Sequence, residues 1–141
     1  MNENLEKART ILMETGCTCV IVKDGQAYSS QERGVKPLLQ WLGDGMDFTG
    51  CSAADKVVGK ATAFLYCLLG IREVYAPIMS EAAVSVLLRH GITAVYDTKV
   101  DHILNRQKNG YCPMESAVKD IDDDPAAALA AVKETLKKMQ S

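Results

Sequence analysis

Gly50–Phe64 reads GCSAADKVVGKATAF, and the fold turns on where in this stretch a helix begins. Its spacing predicts one long helix from Ser52 to Leu69. On that helix Val57, Val58, Ala61, Phe64, Leu65 and Leu68 form a wide apolar stripe, the expected core face. The opposite side carries Asp55, Lys56 and Lys60 in the first turns and small or apolar residues beyond them. Gly59 and Ala63, four apart, leave room there for a close neighbour. Ser52-Ala-Ala-Asp55 fits a capping box, with Asp in place of the usual Glu or Gln at its third position. An acid there also suits the helix dipole, worth ~0.3–1 kcal/mol. Lys56 and Lys60 oppose the dipole, so the spacing calls for an anion nearby: Asp55, an acid from elsewhere, or a bound ligand.

Upstream, Leu5, Ala8, Ile11 and Leu12 recur at helical spacing, and Gly16 is a natural stop. CTCVIVK is apolar on both faces, as a strand in the middle of a covered sheet should be. Asp24-Gly25 predicts a hairpin turn, because both central residues of a type I′ turn need positive φ. A short helix near Pro37 should turn Leu38, Leu39, Trp41 and Leu42 inward. Downstream, REVYAPIM reads as a strand, Ser80 as the cap of a helix ending at Gly91, and ITAVYD as another strand. In the segment 98–111, Ile103 and Leu104 are expected to pack inward. Cys112-Pro113 and Asp124-Pro125 open two more helices, each with proline first. Alternating strands and helices imply parallel pairing, and the hairpin adds an antiparallel member. The expected fold is one three-layer α/β/α domain spanning residues 1–141, with a mixed sheet of four or five strands.

The chain has 141 residues, enough for one domain with a sizeable core, and a net charge of −2. Phosphate contacts need clustered Lys and Arg, so this balance speaks against nucleic acid as a partner. Lys133, Lys137 and Lys138 alternate with Glu134 and read as a solvated helix face. The longest apolar run, Ala61 to Ile71, is too short for a membrane span of about 20 residues. MNENLEKART lacks an apolar secretory core. The expected setting is cytoplasmic, with the five cysteines as free thiols.

The order of elements resembles the cytidine-deaminase-like fold. In that family the long helix opens with His-Ala-Glu or Cys-Ala-Glu, and Pro-Cys-x-x-Cys follows the next strand; together they hold zinc. Here SAAD and PIMSEAA stand in those places, and only Asp55 could replace the Glu. The resemblance therefore implies a deaminase-like fold without zinc or zinc-dependent deamination, since zinc needs at least three protein ligands. More closely, TCVIVKDGQAYSSQERGVKPLL, SAADKVVGKA, EVYAPIMSE and NGYCPMESAVKDID resemble a bacterial and archaeal family known as a domain of unknown function. That family supplies no reaction.

Smaller constellations are less telling. Cys17 and Cys19 fall on one face of a strand, where burial is the simpler reading than a redox or metal pair. DIDDDP lacks the glycine and terminal glutamate of a calcium loop. No phosphate loop is present, no cofactor is implied, and His90 and His102 receive no role. The expected ligand is a small anion, a nucleotide or another acidic metabolite, held by Ser52, Lys56, Lys60 and Ser80 at two helix starts. The rival is an inactive fold used for self-association, as a homodimer, or for binding a protein partner, through the back of the long helix. Cys112, as an N-cap, is the candidate nucleophile, with Asp55 and Glu115 as candidate acid or base. Cys112 would need a nearby cation from Lys56, Lys60 or Arg106; otherwise it and Glu115 simply cap their helix.

Overall fold

The computed structural model describes residues 2–104, 110 and 112–140. Helix α1 (Glu3–Thr15) leads into strand β1 (Cys19–Lys23), the hairpin, and strand β2 (Gln26–Ser30). Asp24 and Gly25 both have positive φ, 50° and 81°, so the predicted turn is in place. Helix α2 (Lys36–Gly43) follows, with Leu38 buried and Leu39, Trp41 and Leu42 half-buried against the core.

The opening stretch departs from the single long helix. Ser52–Asp55 is strand β3, Val57–Val58 is strand β4, and helix α3 is confined to Lys60–Leu69. Strand β3 lies between two partners, antiparallel to β1 (Ile21 opposite Ala53) and parallel to β5 (Glu73–Ser80; Ala53 opposite Val74). That pairing occupies its backbone on both edges, and local helix and capping preferences lose to it. Ser52 and Asp55 therefore form no capping box. In β4, Val57 pairs with Ile78 and Val58 with Met79, the same offset along β5 as in β3. The two short strands thus form one line interrupted at Lys56. With β6 (Thr93–Val100) on the opposite side of β5, the sheet has six strands but is five lines wide.

Helix α4 (Glu81–Arg89) joins β5 to β6, and α5 (Pro113–Val118) and α6 (Pro125–Gln140) complete the described chain. Ser80 and Asp124 cap α4 and α6 as expected, accepting from the N–H groups of Ala83 and Ala127 at 3.1 and 3.0 Å. The result is three-layered. Leu5, Ala8 and Leu12 of α1 pack with Val20, Val22, Ala54 and Tyr75 on one sheet face. Ile21, Ala53, Val74 and Ala76 face the larger core with α3, α4 and α6.

Three smaller expectations change. Cys17 joins the α1 core and Cys19 the α3 core, so the two thiols lie on opposite faces; Cys17 precedes the strand and escapes its alternation. Leu104 is 47% exposed, while Ile103 is half-buried. The back of α3 is not a free surface: Ala61 through Tyr66 and Leu69 are all buried, with α4 and α6 packed against the helix. Among the described residues no helix is long and apolar enough to cross a membrane.

Candidate functional site

Helix α3 begins without a side-chain cap of its own, because Gly59 occupies the capping position. The missing acceptor comes from far along the chain. Glu115, on α5, accepts the Lys60 N–H at its Oε1 (2.7 Å) and the Ala61 N–H at its Oε2 (2.9 Å). A carboxylate at a helix N-terminus satisfies orphan donors and complements the dipole. Glycine at 59 makes the seat possible, since a Cβ there would lie 2.4 Å from Glu115 Oε1. Lys60 returns the contact, its Nζ donating to the Lys119 carbonyl (3.2 Å) at the end of α5. The start of α3 and the end of α5 thus satisfy each other. The acid at this helix start comes from elsewhere in the fold and takes backbone N–H groups, while the Lys60 ammonium bonds a carbonyl.

Beside this junction lies a cavity of about 300 Å³, lined by Lys60, Ser80, Ala82, Asp101, His102, Ile103, Glu115, Ser116 and Lys119. It sits past the carboxyl ends of the parallel strands β5 and β6, where open α/β sheets place their ligands. Three sequence-predicted residues, Lys60, Ser80 and Glu115, converge here from separate segments. Ser80 is buried, and its oxygen accepts from Ala83, leaving its own O–H to donate. Among the described residues the Lys60 ammonium donates one hydrogen bond, to the Lys119 carbonyl. Asp101, His102, Ser116 and Lys119 were not selected from the sequence. The first two lie in the segment whose local pattern is unreadable, and the last two look like ordinary surface positions of a short helix.

The other predicted residues lie elsewhere. Ser52 is buried and donates its hydroxyl to Glu73 (2.6 Å). Lys56 borders a separate depression with Leu12, Met13, Val57, Pro77 and Ile78. Cys112 is the N-cap of α5, as predicted, with no side-chain cap bond, and it does not line the cavity. Glu115 leaves its own helix uncapped and serves α3 instead. Arg106 falls outside the described residues.

Asp55 sits in a second cluster, away from the cavity. It is 7% exposed, and its Oδ2 accepts the Tyr66 hydroxyl at 2.7 Å. Tyr66 Oη is in turn 3.1 Å from Cys19 Sγ. Burial pushes the Asp55 carboxyl up to about 7, against the opposing pull of hydrogen bonds from Tyr66, Val57, Cys19 and Lys56. Burial, then the neighbouring Asp55, raises Cys19 and Tyr66 well above their ordinary values, so both stay protonated. Burial likewise pushes the Cys67 thiol up to about 12. Among the described residues no three His, Cys, Asp or Glu side chains converge as a metal site.

The fold and cavity define a three-layer α/β/α domain with a mixed sheet and a small-molecule-sized recess at its parallel strand ends. The chain belongs to the DUF1893 family, a domain of unknown function, whose profile matches residues 7–136. A DUF1893 family protein from Thermotoga maritima has a similar crystal structure, with 24% identity and a TM-score of 0.82 over 98% of this chain and 92% of that one. Two deaminases resemble it more loosely. The dCMP deaminase of cyanophage S-TIM5 has 12% identity and a TM-score of 0.46 over 68% of this chain and 99% of its own. A Thermotoga maritima diaminohydroxyphosphoribosylaminopyrimidine deaminase/reductase has 16% identity and a TM-score of 0.44 over 67% of this chain and 35% of its own. Among curated proteins none matches the chain.

Proposed function

We propose that the protein binds a small metabolite bearing an acidic group, in the cavity between the starts of α3 and α4 and the helix α5. The observation that carries this reading is the convergence of Lys60, Ser80 and Lys119 on one recess of about 300 Å³. That volume is at the small end of ligand pockets, which suits a compact metabolite. The Glu115 charge is already engaged by two backbone N–H groups, so it opposes an incoming anion less than a free carboxylate would. The acidic group is placed toward Lys60, Lys119 and the α4 N-terminus, away from Asp101. A cytoplasmic setting fits five free cysteines.

The test is a thermal-shift series with inorganic phosphate, nucleoside monophosphates and small carboxylic acids on the parent and on Lys119→Ala. Lys119 is the better target than Lys60, because only its carbonyl takes part in the helix junction. A ligand at 100 times its Kd stabilises by about 2.7 kcal/mol. Stabilisation of the parent that weakens at least tenfold in apparent affinity in Lys119→Ala supports the site. No stabilisation by any of these probes at millimolar concentration refutes it.

A further inference from the structure

The Asp55 cluster lies apart from the cavity residues, and its groups are arranged in a way that packing alone does not require. A carboxyl sits in the core with no cation paired to it among the described residues. From β1 it meets the Cys19 thiol, and from α3 the Tyr66 hydroxyl. From the β3–β4 break it meets the backbone N–H groups of Lys56 and Val57; the Lys56 side chain is exposed. The β5 residues that join the core on this face of the sheet, Val74, Ala76 and Met79, are apolar, and Tyr75 and Cys17 lie across the sheet. An unpaired buried charge is costly, and such groups commonly take up a proton instead.

The hydrogen-bond chain accommodates both forms. With Asp55 ionised, Cys19 S–H donates to Tyr66 Oη and Tyr66 O–H donates to the carboxylate. With Asp55 neutral, its own O–H donates to Tyr66 Oη, and Tyr66 O–H turns to the Cys19 sulfur. The heavy-atom separations of 2.7 and 3.1 Å serve either direction, and either atom of the Tyr66–Cys19 pair can donate.

We propose that Asp55, Tyr66 and Cys19 form a proton switch: Asp55 enters the fold as a neutral acid, and its ionisation reverses the chain and loosens the seam between β1, β3 and α3. The sign follows from linkage. The folded carboxyl is raised from 3.8 to about 7, so its stabilisation is full below the unfolded value and is lost as pH rises toward the folded one. Stability should fall from about pH 4 to pH 7 on this account and then level off.

The experiment is a carbon-13 NMR titration of aspartate carboxyls, with Asp55 assigned by the signal missing from Asp55→Asn. The expected midpoint is near neutral. Tyr66→Phe should raise it further, because the Tyr66 hydroxyl stabilises the ionised form. It also assigns the signal if Asp55→Asn does not fold. Amide exchange in Ala53–Asp55, corrected for its intrinsic pH dependence, should accelerate above the midpoint in the parent. A midpoint in the ordinary carboxylate range, a Tyr66→Phe midpoint that does not rise, or exchange unchanged across the midpoint each overturns the proposal.

Discussion

Ser52-Ala-Ala-Asp55 and Ser80-Glu-Ala-Ala83 are near twins in composition and opposite in fate. Ser80 caps a helix, its oxygen accepting from Ala83. Ser52 begins a strand, and its hydroxyl donates to Glu73. The difference lies in what each stretch has for neighbours. Ser80 ends β5, already paired along its length, and the nine residues after it have an apolar face suited to α4. Ser52 arrives between β1 and β5 with both edges free to pair, and Ala53 and Ala54 are small enough for helices to close over both sheet faces. A capping motif is an offer that the backbone accepts only where no ladder competes for its hydrogen bonds.

The largest effect should separate the two alanine pairs. Ala54 is fully buried beneath α1, whereas Ala82 is exposed on the first turn of α4. Ala54→Leu should overpack the core and cost about 1–3 kcal/mol. Urea denaturation that finds Ala54→Leu unchanged would mean that β3 is not clamped as described. The serines come next. Ser52→Gly leaves the buried Glu73 without its hydroxyl donor and should cost about 1–3 kcal/mol. Ser80→Gly should cost only a few tenths, because glycine is tolerated at an N-cap. Equal midpoint shifts in the two glycine variants would erase the distinction between strand and cap. The smallest effect belongs to Ala82→Leu, expected within about ±0.5 kcal/mol as an ordinary surface substitution. A larger loss would show that the α4 start is packed more tightly than its exposure indicates.

Much of the architecture was written in local signals. The Asp24-Gly25 hairpin, the Ser80 and Asp124 caps, the prolines opening α5 and α6, and the two-faced apolar strand β1 are each determined by a few adjacent residues. β3 was not legible in the same way. Alanine and aspartate are poor strand formers, and the decision rests with β1 and β5. The cavity was half legible. Lys60 and Ser80 stand out as a cation and a cap at helix starts, yet nothing near Gly59 announces that Glu115 will complete α3. The anomaly that did show in sequence, Lys60 set against a helix dipole, marked the place without naming the partner.

That partnership also sets an order of events for a chain made from its amino end. Glu115 reaches Lys60 across 55 residues, so α3 is released from the ribosome with its first turn unfinished. Strand β5 and helix α4 are both synthesised before the residue that closes that turn. A nascent chain halted between α4 and α5 therefore carries most of the sheet and a core helix with open amides at one end. The first turn of α3 gains its acceptors only once Glu115 is in place.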